Sequence, residues 1–177
     1  MSKFEIDNGR LCFRFDTAEG LCCTGIYQKE TGREWLTEPC VPFIFEICGK
    51  SYPADSLRIR KAELLEDKRD RALVFELYLE EWNINVRLSV SVREECLAFL
   101  IQAGADWSGT PREVYLQIPL FRHFPECGQW HLSANPRPKP DGSPALELHE
   151  EFPLPVCCIE PDTGHGIMME LPDYPEF

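Results

Sequence analysis

An all-β antiparallel sandwich is the fold class this sequence predicts, and three observations carry the prediction. From Trp82 to Arg93 the residues alternate without a break. Trp82, Ile84, Val86, Leu88, Val90 and Val92 fall on one side, and Asn83, Asn85, Arg87, Ser89, Ser91 and Arg93 on the other. A period of two is the mark of a strand with one face in a core and one in water. The pattern repeats on either side: Leu73, Phe75, Leu77 and Leu79 precede it, and Leu97, Phe99, Ile101 and Ala103 follow. Glu80-Glu81 and Glu94-Glu95 sit at the joins, where charge suits a short solvated turn, so residues 72–103 read as three strands of one meander. Finally, the chain has turn residues at regular short intervals and no heptads, repeats or long helical pattern, as a sandwich requires.

The elements follow in order. Lys3 to Ile6 is a short strand, and Asp7-Asn8-Gly9-Arg10 turns it, since Asn-Gly tolerates positive φ. Leu11, Phe13 and Phe15 alternate with Cys12, Arg14 and Asp16, giving the second strand. Ala18-Glu19-Gly20 reverses the chain into a strand over Leu21 to Tyr27, and Lys29-Glu30-Thr31-Gly32 turns it toward Arg33 to Leu36. Pro39 and Pro42 make a loop, because proline excludes both helix and central strand. Phe43 to Cys48 is apolar on both faces and reads as a central strand, turned by Gly49-Lys50. Residues 56–67 fit neither period. Ser56 could cap a short helix there, but the strands on both sides favour a strand.

Past the meander, Gly104 to Arg112 reads as a loop, and Val114, Leu116 and Ile118 as a strand ended by Pro119. A short strand is expected at Gln129 to Ser133, then a long proline-rich surface loop from Ala134 to Ala145. Leu154 to Glu160 and Gly166 to Leu171 make a last hairpin. The length predicts a single sandwich domain over residues 1–171, with the proline-rich, acidic residues 172–177 as the start of a linker.

Composition bounds the function. A net charge of −12 argues against nucleic acid and against anionic membrane surfaces, both of which need a basic face. After Lys139 there is no Lys or Arg, so the C-terminal part carries an acidic face, either solubilising or turned toward a basic partner. No stretch reaches the roughly 20 apolar residues of a membrane helix, and the first residues carry no secretion signal, so a cytoplasmic location is expected. Nine cysteines occur with no C-x-x-C pair. Most of them stand where Val or Ile would stand in strands, and they read as reduced, buried thiols rather than a zinc or redox site.

Glycine clusters for phosphate and the G-x-S-x-G elbow are both missing from the sequence. His123, His131, His149 and His165 include no H-x-H or H-x-x-x-H pair, so no metal and no cofactor are expected. Glu150-Glu151 and Asp173 with Glu176 could be assembled into acid pairs, but a chain with 30 acidic residues offers such pairs by chance. Aromatics off the alternation are the better candidates: Trp107 in a glycine-containing loop and Trp130 beside His131. An exposed indole offers a flat face on which a sugar ring can stack, and one turned inward plugs the end of a sandwich.

Ile6 to Asp16, Leu21 to Tyr27 and then Gln28-Lys29-Glu30-Thr31-Gly32-Arg33-Glu34-Trp35-Leu36 resemble the opening of the N-terminal β-supersandwich of many glycoside hydrolases, the galactose mutarotase-like fold. Thr31-Gly32-Arg33-Glu34-Trp35-Leu36 is the most specific part. The meander, the Asp106 to Thr110 loop and the Leu154-Pro155-Val156 and Asp162-Thr163-Gly164 runs fit the same plan. The resemblance implies a non-catalytic domain, with no catalytic residue of its own, that supports an adjoining catalytic domain and contacts carbohydrate. Trp107, Trp130, His131 and His123 are its candidate contacts. Two other readings stay open. One is a small aldose-epimerase-like enzyme using His123 or His131 as acid and base. The other is a free-standing carbohydrate-binding or protein-interaction module. A complete epimerase of that class is much longer, and Arg122-His123-Phe124-Pro125 is only faintly like its histidine motif.

Overall fold

A computed structural model describes residues 2–66, 71–92, 97–105, 114–120, 129–132, 156–159 and 166–169. The chain divides into two compact units, Met1–His123 and Phe124–Phe177, and each is described by itself. Among the described residues every regular element beyond single 3-10 turns is a strand, and every pairing is antiparallel. The architecture is all-β and sandwich-like. Among the described residues no helix is long and apolar enough to cross a membrane.

In the first unit, β1 (Lys3–Asp7), β2 (Leu11–Asp16), β3 (Cys22–Gln28) and β4 (Arg33–Glu34) form one sheet in sequence order. The hairpins expected from the first forty residues are all present. β5 (Ile44–Ile47) lies in the middle of a second sheet, between β6 (Lys50–Pro53) and β11 (Val114–Gln117). The central place is as expected, but its burial alternates: Phe45 and Ile47 are buried, while Ile44 and Glu46 on the other face are half-buried. Cys48 and Gly49 form the β5–β6 turn with φ of 51° and 76°, a left-handed pair suited to a two-residue hairpin.

The third sheet is the meander: β7 (Arg58–Glu66), β8 (Arg71–Leu79), β9 (Ile84–Val92) and β10 (Leu97–Ala105), again side by side in chain order. Residues 56–67 therefore hold a strand, with a single 3-10 turn at Ala54–Ser56 before it. They fit neither period because the register slips between Ile59 and Lys61. This β-bulge moves the inward set from Ile59 to Ala62 and breaks the alternation. Two expectations are corrected. Trp82 does not begin the long strand: it ends a 3-10 turn over Glu80–Trp82, and Asn83 takes a φ of 51° that asparagine tolerates, so extended backbone starts at Ile84. Gly104 is not in a loop, because β10 pairs with β9 as far as Ala105 opposite Ile84.

The β1–β4 sheet packs face to face on the meander through phenylalanines. Phe4 and Phe15 stand 5.6 and 5.2 Å from Phe75, and Phe13 stands 5.0 Å from Phe99, ring centre to ring centre. Ile6, Phe15, Leu73, Phe75, Leu88 and Val90 are almost wholly withdrawn from water. Such a layer is where most of the folding free energy arises. The β5–β6 hairpin is tied to the meander by Trp82, whose Nε1 donates to the Tyr52 hydroxyl at 2.8 Å, and by Lys50 with Glu81 at 2.5 Å.

In the second unit, β12 (Gln129–Leu132), β13 (Val156–Ile159) and β14 (Gly166–Met169) form a three-stranded sheet in that order. The expected last hairpin is β13 with β14, and the expected short strand is β12. The proline-rich loop and the C-terminal linker lie outside the described residues.

Candidate functional site

The inner face of the meander is committed to the core, so its polar side chains lie on the outer face. Register places that face in four rows across β7, β8, β9 and β10. Leu65, Ala72, Ser91 and Ala98 form the first, and Glu63, Val74, Ser89 and Leu100 the second. The third is Lys61, Glu76, Arg87 and Gln102, and the fourth is Arg58, Tyr78, Asn85 and Gly104. The face grades from apolar and small at one end to charged and planar-polar at the other. The bulge adds Arg60 to the polar end, since two consecutive residues, Arg60 and Lys61, then share one side of the sheet.

A shallow, open hollow of about 750 Å³ lies over this polar end, lined by Arg60, Glu76, Asn85, Arg87, Gln102 and Gly104 together with the strand edges between them. Gly104 helps to open it, for a Cβ there would meet nothing. Arg60 is fixed by two neighbours. Its guanidinium carbon lies 3.7 Å from the centre of the Tyr78 ring, and its Nη1 donates to Asn85 Oδ1 at 2.6 Å. Tyr78 is held in turn by its hydroxyl, which donates to Asn83 Oδ1 at 2.6 Å. On the edge, Lys61 pairs with Glu63 at 2.6 Å. That bond raises the Lys61 ammonium above its ordinary range, while the nearby Arg87 guanidinium works against it. Arg58 pairs with Glu80 at 3.2 Å.

The outer face of the β1–β4 sheet is also polar but closed on itself. Arg14 pairs with Glu34, whose other carboxylate oxygen accepts from the Ile26 backbone N–H at 2.6 Å. Gly25 makes this possible: a Cβ at that position would overlap the Arg14 guanidinium, so only glycine lets the side chain cross β3. Asp7 accepts from Lys29 at 2.8 Å. Burial, with Glu5 beside it, pushes the Cys12 thiol up to about 11. Trp35 is fully buried and donates from Nε1 to Gln28 at 3.0 Å, with Arg33 over its ring at 4.8 Å. Thr31 to Leu36 is thus a folding device. Cys23 and Cys40 exchange both backbone hydrogen bonds, and burial raises both thiols, Cys40 to about 12.

Of the residues singled out from sequence, Trp107 and His123 lie outside the described residues, as do His149, His165, Glu150, Glu151, Asp173 and Glu176. Trp130 and His131 are neighbours on β12, in register with Cys158 and Cys157 of β13. Among the described residues no cluster of His, Cys, Asp and Glu could hold a metal. The outer-face residues were not selected from sequence. Asn85 and Arg87 were legible as the wet side of the long alternation, but Arg60 was hidden by the bulge. The chain matches no family model, no curated protein and no solved structure.

Proposed function

We propose that this chain is a non-catalytic β-sandwich domain of a glycoside hydrolase-like, carbohydrate-active protein, on the galactose mutarotase-like supersandwich plan. Its saccharide-facing surface is the outer face of β7–β10. The hollow over Arg60, Glu76, Asn85, Arg87 and Gln102 carries this reading. Sugar hydroxyls both donate and accept. Arginine supplies donors, a carboxylate supplies acceptors, and Asn and Gln side chains supply both. The hollow is open rather than enclosed, which suits a chain of sugars lying across strands.

A supporting role fits the same residues. Among the described residues the lining holds one carboxylate, Glu76, whereas glycoside hydrolysis generally takes two, about 5–10 Å apart. The Thr31 to Leu36 motif, which carries the family resemblance, is spent on packing and hydrogen bonds within the β1–β4 sheet. Free thiols at Cys12, Cys23 and Cys40 favour a reducing, cytoplasmic setting.

Titration calorimetry of the chain against mono- and oligosaccharides, beside an assay for released reducing sugar, tests the reading. We expect binding of at least one oligosaccharide, its loss in the Asn85→Ala/Gln102→Ala double variant, and no hydrolysis. Sugar release by this chain, or no binding across the panel, overturns it. In its source cells the intact protein should be much heavier than the 20.4 kDa of this chain.

A further inference from the structure

Resting on the saccharide reading above, we propose that the β7–β10 face takes an acidic saccharide, one containing uronic acid, and that Arg60 and Arg87 hold its carboxylate. The charge distribution carries this. The chain has 30 acidic residues against 18 Lys and Arg, so a cation on its surface does not lack for acids. Six cations of the first unit take them: Arg14 with Glu34, Lys29 with Asp7, Lys50 with Glu81, Arg58 with Glu80, Lys61 with Glu63 and Arg71 with Glu66. Among the described residues Lys3 and Arg10 do not, and nor do Arg60 and Arg87, the two that stand together on one face. Among the described residues neither has a carboxylate oxygen within 4.0 Å, although Glu76 stands opposite Arg87 in register. Both line the same hollow.

The two guanidiniums are also prepared differently from mobile surface cations. Arg60 lies over the Tyr78 ring and spends Nη1 on Asn85, which leaves the rest of its donor fork for a ligand. Arg87 is flanked across the strands by Glu76 and Gln102. A guanidinium fork matches a carboxylate in two parallel hydrogen bonds, and arginine is the residue suited to that geometry. Glu76 selects among anions. It repels a dense charge such as phosphate or sulfate, while it can accept from a hydroxyl beside a single carboxylate. Asn85 and Gln102 offer the matching amide contacts. One negative charge in company with hydroxyls is the chemistry of a uronic acid residue.

The test is calorimetry of the full chain with a galacturonate tetramer, a neutral galactose tetramer of the same linkage, and a short polyglutamate. We expect the uronate to bind roughly tenfold or more tighter than the neutral tetramer, with polyglutamate weaker than both; one such tenfold step is what a lost charge-assisted bond gives. Arg87→Gln and Arg60→Gln should each weaken uronate binding far more than neutral binding, so that the preference is lost while thermal unfolding holds, and Arg87→Lys should keep only part of the preference. Equal binding of neutral and acidic tetramers overturns the inference while the saccharide reading stands. Polyglutamate binding as tightly as uronate overturns it too, since the face would then be a general anion surface. Binding of no saccharide takes down both.

Discussion

The two sheets that face each other across the phenylalanine layer differ most on their outer sides. On β1–β4 the central polar groups are bonded to one another: Arg14 to Glu34, Glu34 to the Ile26 N–H, and Lys29 to Asp7. On β7–β10 Arg58 and Lys61 are paired in the same way, but among the described residues Arg60 and Arg87 have no acid partner, and a hollow opens beside them. The same alternation of apolar and polar residues produced both faces. A polar face is therefore no sign of a site until the pairings are known. What separates a scaffold from a binding surface is whether its charges are already satisfied.

The comparison presumes that both sheets are locked by one shared core layer, and the largest effect tests that. Phe75 touches Phe4 from β1 and Phe15 from β2. Phe75→Ala should cost about 3–5 kcal/mol in urea unfolding, the usual cost of emptying a buried aromatic site. Arg87→Gln on the opposite side of the same sheet should cost within about 0.5 kcal/mol. Equal costs would mean that the two sheets do not share a core as described.

Glu34→Ala addresses the scaffold side. It removes the acceptor of the Ile26 N–H and the partner of Arg14 together. Loss of about 1–3 kcal/mol is expected, dominated by the backbone donor left without its partner. Saccharide binding by the folded variant should be unchanged. If binding fell while stability held, the functional face would be β1–β4 and the contrast drawn above would be reversed.

Much of the fold was legible because a two-residue period needs only local sequence. Leu73 to Leu79, Ile84 to Val92 and Leu97 to Ala103 declare their buried side without knowledge of any partner. The exceptions have local causes that spacing alone hides. One extra residue at Arg60 shifts the phase of β7, and a left-handed Asn83 delays β9. What sequence could not reach was long-range: that β5 sits between β6 and β11, 71 positions separating Glu46 from its bonding partner Gln117, and that Arg60 and Arg87 come to line one hollow. Trp107 and Trp130 stood out because they broke the alternation, and His123 and His131 because histidine can serve as acid and base. The residues of the hollow did not, since a polar residue on the wet side of a strand looks ordinary until its neighbours are placed.

The smallest effect sharpens the statement that β1–β4 spends its charges internally. Asp7 accepts from Lys29 at 2.8 Å and from the Gly9 N–H at 2.7 Å. The bond from Lys29, then that from Gly9, holds its pKa below the ordinary 3.8. A carboxyl depressed by folding adds stability that is fully present above its unfolded value and is lost as pH falls through the lower, folded value. Asp7→Asn keeps an acceptor for Gly9 but removes the attraction to Lys29. Urea midpoints of the two proteins should therefore differ at neutral pH, with the native chain the more stable, and should converge as the pH drops below 3.8. Curves that stay parallel through that range would show that the Asp7–Lys29 pair contributes nothing to folding, and that this corner of the scaffold is as uncommitted as the face that carries Arg87.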